Sequence, residues 1–291
     1  MSQITYSFVI PHKNCPDLLT RCVSSIPQRD DIQIIIVDDN SDIDKLPQLS
    51  RQDAEIIYLT PEQSHGAGHA RNIGMSKAVG QWFLFADADD FYSPGFIDIL
   101  DRYKDTTYDV VFFNFNLENG DLMKTEEKKH WEDVSEKTRQ HDDTYLKYRF
   151  HVPWNKMVSR NLIVRNDIRF ETTPIGNDIQ FSIETSFMSR KYAIAEQAIY
   201  NYYIHDKSLS FGYRDTGKLM FLIEGWYKVN AFNDYIHHPE WNVNILIGLM
   251  FLMWNNKRRA PLILLRYLTR IPHFIRIKDK YVNHINTLLI S

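Results

Sequence analysis

The sequence predicts an α/β protein built on a doubly wound sheet, and three observations carry that expectation. Through the first 115 residues, apolar runs of strand length alternate with segments of helical spacing. One run, "IQIIIVDD" (32–39), is continuously apolar before its acids, as in a parallel strand covered on both faces. Two runs end on clustered carboxylates, Asp38–Asp39 and Asp87/Asp89/Asp90, at the strand ends beyond which open α/β sheets bind ligands.

Taken in order, "TYSFVIP" (5–11) reads as the first strand and "CPDLLTRCVSSIP" (15–27) as a helix. "IQIIIVDD" and "AEIIYLT" (54–60) are the next strands, and "GAGHARNIGMSKAVG" (66–80) is a helix introduced and closed by glycine. "QWFLFADADD" (81–90) is the fourth strand. "SPGFIDILDRYK" (93–104) follows as a helix with Ser93 as cap and Pro94 at its first position, Asp90 standing near its start. "YDVVFFNF" (108–115) is the fifth strand. Residues 118–145 are polar and poorly periodic, and read as an exposed excursion or hairpin. Order resumes with "HVPWNKMVSRNLIVRNDIRF" (151–170) and a helix beginning near Asn177, then a late strand and polar turn in "AEQAIYNYYIHDKSLS" (195–210). Beyond Phe211 the pattern is mainly helical.

Composition narrows the function. With 291 residues, 44% hydrophobic and 24% charged, the chain has the makeup of a globular protein. Two cysteines, Cys15 and Cys22, form neither a disulfide framework nor a metal-binding pair, so a reducing compartment is expected. The opening residues lack the pattern of a signal peptide, and a cytoplasmic location is expected. Charge is uneven: residues 241–291 carry eight Lys/Arg against Asp279, a net +7, so with −3 for the whole chain the rest carries −10. That acidic remainder argues against nucleic acid as a partner.

Asp87 and Asp89, one residue apart at a strand end, can reach a single Mg²⁺ or Mn²⁺, since hard cations prefer oxygen ligands and accept phosphate oxygens at their other positions. A solvated turn capping the next helix has the same residues. The lack of a His/Cys ligand cluster argues against zinc.

Six segments in order distinguish these readings: "SFVIPHKN", "IIIVDDNSD", "GAGHARNIGMSKAVGQWFLFADADD", "WNKMVSRNLI", "RFETTPIGNDIQFS" and "YYIHDKSLS", within roughly residues 4–211. Together they resemble family 2 glycosyltransferases, inverting enzymes of the GT-A fold that use nucleotide sugars. The resemblance implies a Rossmann-like mixed sheet in a catalytic domain over 1–215. Its nucleotide part would span about 1–115 and its acceptor part about 145–215, with a helical, basic extension over 216–291. It implies a donor site at Pro11, His12, Asn14, Asp39, Arg71, Asp87, Ala88 and Lys207. Mn²⁺ or Mg²⁺ would be held by Asp89 with Asp87 and His205. Asp178 of "GND" would be the general base, and Trp154 and Asn177 would meet the acceptor. Two residues depart from the pattern. Lys13 stands where many relatives carry an aromatic that holds the base, which leaves His12 to stack instead. Asn177 replaces the first acid of an acidic pair, so the base must be Asp178.

The activity so implied is metal-dependent transfer from a nucleotide sugar, UDP-linked by family frequency, to a glycan or lipid-linked acceptor. Its setting would be the biosynthesis of a bacterial surface polysaccharide such as capsule or lipopolysaccharide. A sugar nucleotidyltransferase would call for a Gly-rich basic loop after the first strand, which "PHKNCPD" lacks. A non-catalytic sugar-nucleotide-binding protein of the same fold is the other alternative. In 244–280, apolar and basic residues interleave, as on a segment lying against the inner membrane; a helical subdomain packed on the core has the same pattern.

Overall fold

The computed structural model describes residues 3–119, 125–140, 143–204 and 216–290. Strand β1 (Tyr6–His12) is buried at every position and β2 (Ile32–Asp38) at all but one. This is the environment the unbroken apolar runs require, because helices cover both faces of a parallel sheet. β1 lies between β2 and β4 (Trp82–Phe85), parallel to both, and β2 continues outward to β3 (Ala54–Tyr58). Helices α1 (Pro16–Ser24) and α2 (Ala67–Lys77) lie in the crossovers, α2 packing on β1 and β2.

The other half of the sheet reverses direction. β7 (Lys156–Ser159) runs antiparallel to β4 and to β6 (Val110–Asn119). β8 (Tyr192–Ile204) is parallel to β6, and the two-residue β5 (Phe91–Tyr92) closes the edge antiparallel to β8. The order is β3-β2-β1-β4-β7-β6-β8-β5, a mixed sheet of the expected class. Because β1, β2 and β4 are parallel, the segments after His12, Asp38 and Phe85 emerge side by side at one edge.

Two local expectations are overturned. The helix after β5, α3 (Phe96–Asp101), begins past Gly95 at φ 75° and not at Pro94. Ser93 caps nothing there with its hydroxyl, which accepts from Asn201 Nδ2 at 3.1 Å. The polar stretch after β6 holds a helix, α4 (Thr125–Arg139), followed by α5 (Asp143–Tyr148). Its buried stripe is narrow: Val134, Ser135 and Thr138 turn inward, and Trp131 sets its ring against Tyr202 at 4.3 Å. One large aromatic supplies the apolar area that a longer periodic pattern would otherwise signal.

After β7 come α6 (Arg160–Arg165) and α7 (Ile179–Met188), and after β8 three helices, α8 (Thr216–Tyr235), α9 (Ile245–Asn255) and α10 (Ala260–Ile290). Leu219 and Ile223 of α8 share a core with Leu249 of α9 and Ile263 and Phe274 of α10. A second cluster, with Ile183, Phe232, Tyr281 and Ile285, fastens α8 and the far end of α10 to α7.

The first turn of α2 lies so close to the segment before α7 that only glycine fits. A Cβ on Gly68 would stand 2.0 Å from the Glu171 carbonyl oxygen and 2.8 Å from Asn177 Cβ. Gly68→Ala therefore forces two backbones apart, and urea denaturation is expected to show a loss of about 1–3 kcal/mol, the range for overpacking. An unchanged midpoint would mean that the two segments separate freely.

Candidate active site

The site is built where the parallel strands end. His12, the last residue of β1, is buried, and its Nδ1 lies 2.6 Å from Asp38 Oδ2 at the end of β2. The Cys15 N–H donates to His12 Nε2 at 3.2 Å, so Nε2 is the acceptor and Nδ1 carries the proton donated to Asp38. Ser41 donates to the same carboxylate from its N–H at 2.9 Å and its hydroxyl at 2.6 Å. Asn14, at φ 58°, accepts the Asp42 N–H at 2.8 Å, closing one loop on the other. With both nitrogens bonded and the residue 1% exposed, His12 offers no ring face to a nucleobase. It is a clasp between two loops, and the expected stacking role is corrected. Pro11, also buried, belongs to the same strand end.

Asp39 points the other way. Its carboxylate accepts the Gly66 N–H at 3.1 Å and faces Lys13 Nζ at 3.5 Å, while its carbonyl accepts the Lys13 ammonium at 2.9 Å and the Ser64 hydroxyl at 3.1 Å. The acidic residue is thereby held at the entrance to α2, beside a lysine that stands where an aromatic had been expected.

The three aspartates after β4 have different surroundings. Asp90 is buried, accepting the Tyr200 hydroxyl at 2.8 Å and the Tyr203 N–H at 2.7 Å; it is a bracket to β8, not the helix acid expected from its position. Burial first, then Asp89 and Asp87, push its carboxyl well above the ordinary range. Tyr200 accepts the Asp87 N–H at 2.9 Å, so one phenol fixes both ends of the triplet. Asp89 is half-buried, and its carbonyl accepts Arg21 Nη2 at 2.6 Å. The Arg21 guanidinium is stacked on Phe91 and Tyr203, 4.5 and 4.1 Å from their ring centres. Ala88 between the two acids is buried.

Asp87 pairs with Arg71 of α2, whose Nη2 donates to it, while Arg71 Nη1 donates to Asn177 Oδ1 at 3.0 Å. The Arg71 guanidinium lies 5.3 Å from the centre of Phe170, which is stacked on Phe181 at 3.9 Å. Desolvation raises the Asp87 carboxyl and the adjacent guanidinium opposes it. Asn177 uses both ends of its amide inside the protein, its Nδ2 donating to Thr173 O at 3.3 Å. It positions Arg71 and does not face an acceptor, which corrects the role expected for it.

Asp178 is the first residue of the turn that becomes α7, its carbonyl accepting the Ser182 N–H at 2.9 Å. Its side chain makes no capping bond to that helix. Burial lifts its carboxyl to about 6, with Arg71 opposing the rise. Nearby, burial lowers the Lys156 ammonium to about 7, and Asp178 resists that fall. Lys156 is only 1% exposed, and its Nζ has no hydrogen-bond partner among the described residues. A charged residue on a central strand is the signal that could have marked it from sequence, since lysine is almost never buried without a reason.

Trp154, expected to floor an acceptor site, is 3% exposed and packed among rings: Tyr200 stacked at 4.8 Å, Tyr202 stacked at 5.5 Å and Phe115 edge-on at 5.0 Å. A residue so little exposed offers no platform to a sugar, and it belongs to the core. His205 and Lys207 lie outside the described residues.

For a divalent cation the donor set is narrow. Among the described residues no group of three or more His, Cys, Asp or Glu is disposed to hold a metal ion. Asp87 and Asp89 alone still fit Mg²⁺ or Mn²⁺, which take one or two carboxylates and complete their shell with water and phosphate oxygens.

This mixed sheet, with acids at its strand ends, has a GT-A-like architecture. Residues 7–165, more than half of the chain, match glycosyl transferase family 2, and the chain belongs to that family. It is 27% identical over 229 residues to the uncharacterized glycosyltransferase YibD of Escherichia coli K12, covering 73% of this chain and 65% of that one. Over 208 residues it is 27% identical to the poly(ribitol-phosphate) beta-glucosyltransferase of Bacillus spizizenii, covering 68% of this chain and 31% of that one. The chain thus spans less than two thirds of either relative's length. Its fold matches S. aureus TarS 1-349, solved in complex with UDP-GlcNAc, with a TM-score of 0.60 at 17% identity, over 97% of this chain and 81% of that one.

If Trp154 is core, Trp154→Ala is expected to cost about 3–5 kcal/mol in denaturant unfolding, as for other buried aromatics. Trp154→Phe should keep most of both stability and activity. A Phe variant that stays folded yet loses acceptor affinity would return the residue to the site.

Proposed function

We propose that the chain transfers a sugar, with inversion, from a nucleotide-diphosphate donor to a hydroxyl of a glycan or lipid-linked glycan. The observation that carries this reading is Asp178 at the head of α7, its carboxyl lifted to about 6 and its neighbour Asn177 linked through Arg71 to Asp87 after β4. A base tuned toward the working pH and close to Asp87, whose charge it feels, is what a single displacement at that edge needs. The acceptor oxygen attacks the anomeric carbon as Asp178 takes its proton. The carbon–oxygen bond to the diphosphate breaks, and that oxygen leaves with the bonding pair. Asp39 and the entrance to α2 hold the nucleoside, and Arg71 keeps Asp87 oriented.

Asp87 and Asp89 would hold Mg²⁺ or Mn²⁺, which when bound supplies positive charge to the departing diphosphate. A UDP-sugar is the favoured donor, because the fold-matched TarS was solved with UDP-GlcNAc. The name of the B. spizizenii relative, a poly(ribitol-phosphate) beta-glucosyltransferase, supports a polymer as acceptor; a surface polysaccharide such as capsule or lipopolysaccharide is the setting we propose. Among the described residues no helix is long and apolar enough to cross a membrane. We place the reaction in the cytoplasm, at the inner face of the membrane.

The base must be ionised to act, so kcat/KM is expected to fall as pH drops through about 6, tenfold per unit below it. Asp178→Asn should lower kcat ~10²–10⁴-fold and abolish that acidic limb while nucleotide affinity stays close to wild type. An active Asp178→Asn would assign the proton to another group. Calorimetric titration of UDP, GDP and dTDP should show one nucleotide binding strongly only with Mn²⁺ and not to Asp89→Ala. Equal binding without metal would remove the cation from the reading.

A further inference from the structure

The last two helices leave apolar side chains in water. On α9, Gly248 meets Trp226 of α8 so closely that a Cβ would stand 2.6 Å from the ring, which fixes the inward face. The opposite face carries Leu246, Ile247, Met250, Phe251 and Trp254, each 64–70% exposed. On α10, Ile263, Tyr267 and Phe274 turn inward, while Leu265, Leu268 and Ile275 are more than half exposed. Their spacing of three and seven residues places them on one stripe. A fully apolar outer face on a helix in water is the arrangement a missing partner explains.

Charge selects the partner. No acid occurs from Trp241 to Lys278, whereas the turn between the helices is Lys257–Arg258–Arg259, and Arg266, Arg276 and Lys280 flank the stripe of α10. Two basic residues are paired inside the protein, Arg270 to Glu224 at 3.5 Å and Lys278 to Asp234 at 2.6 Å. The six others form no ion pair with a described residue, though the Lys257 ammonium sits 4.4 Å above the Trp254 ring. A second copy of this chain set face to face would bring these cations together, which is repulsive. An anionic bilayer surface is complementary to both features: it takes apolar side chains into its headgroup boundary and draws basic ones to its phosphates. With 11 residues, α9 is about 16 Å long, roughly half the hydrocarbon thickness, so it lies in the interface and does not span it.

We propose that α9 and the first half of α10 form a docking surface for an anionic lipid leaflet, with Phe251 and Trp254 inserted and Arg266 and Arg276 at the headgroups. The inference does not rest on the transfer reaction. Its test is flotation of the full chain with vesicles of phosphatidylcholine alone, or with one third phosphatidylglycerol. The chain should float with the anionic vesicles only, and be released when salt rises from ~0.1 M to ~1 M, where the screening length falls from about 10 Å to about 3 Å. Phe251→Ser/Trp254→Ser and Arg266→Gln/Arg276→Gln should each weaken vesicle affinity about tenfold or more, with far-UV circular dichroism and melting unchanged. Asp178→Asn should float as wild type, so failure of the transfer reading and failure of this one are separable. Absence of flotation, or equal flotation with neutral vesicles, would overturn the proposal. Light scattering that reports a dimer lost in Phe251→Ser/Trp254→Ser, without vesicle binding, would assign the face to a second copy and overturn it as well.

Discussion

The guanidinium of Arg71 holds the two halves of the site together. It leaves α2 between the end of β4 and the head of α7, donating to Asp87 on one side and Asn177 on the other, over the ring of Phe170. A buried cation is costly to desolvate unless its geometry is well satisfied. Here a carboxylate, an amide oxygen and an aromatic face meet that requirement, although Nε has no partner among the described residues. The neutral Asn177 matters as well. A second carboxylate there would compete for the guanidinium, whereas the amide accepts one bond and returns another to the Thr173 carbonyl. The close approach at Gly68 brings the same two segments into contact through their backbones.

The cluster of three acids is tolerable because its members do not share one environment. Asp90 is held from β8 by Tyr200 and the Tyr203 N–H, Asp87 from α2 by Arg71, and the Asp89 backbone from α1 by Arg21. Tyr200 touches both the first and the last of the triplet, so the turn after β4 takes its shape from a strand more than a hundred residues later. That strand pairs with β5, the two residues that directly follow the turn. The site is thus braced from below by the sheet and from the side by α2.

What was legible in the sequence was what local pattern encodes. The unbroken Ile run of β2 and the acids that close β2 and β4 marked a parallel sheet and its functional edge, and "GND" marked the head of α7. What was not legible depends on partners distant in sequence. His12 looks like a free imidazole until Asp38 and Cys15 take both of its nitrogens. Trp154 looks like a sugar platform until Tyr200 and Tyr202 are seen stacked against it. Asn177 reads as a degenerate acid until Arg71, 106 residues away, is seen bonded to it. The helix α4 escaped notice because a single Trp131 does what several aliphatic residues would do in a more regular pattern. For His12, Trp154 and Asn177 burial of the group was the missing fact, and burial is a property of the assembled sheet.

The helix α10 joins two otherwise separate surfaces. Near its start it carries Leu265 and Leu268 outward. Near its end Tyr281 and Ile285 share a core with Ile183 of α7, and His284 Nε2 meets Glu184 Oε1 at 2.8 Å. From Leu268 to His284 the rise of an α-helix gives roughly 24 Å. The helix therefore acts as a ruler, with one end on the outer stripe and the other against the helix that bears Asp178. On the proposed reading, an acceptor hydroxyl would be delivered to Asp178 at a set offset from whatever surface the stripe rests on. The proposed transfer would then discriminate acceptors by their reach as well as by the sugar they carry.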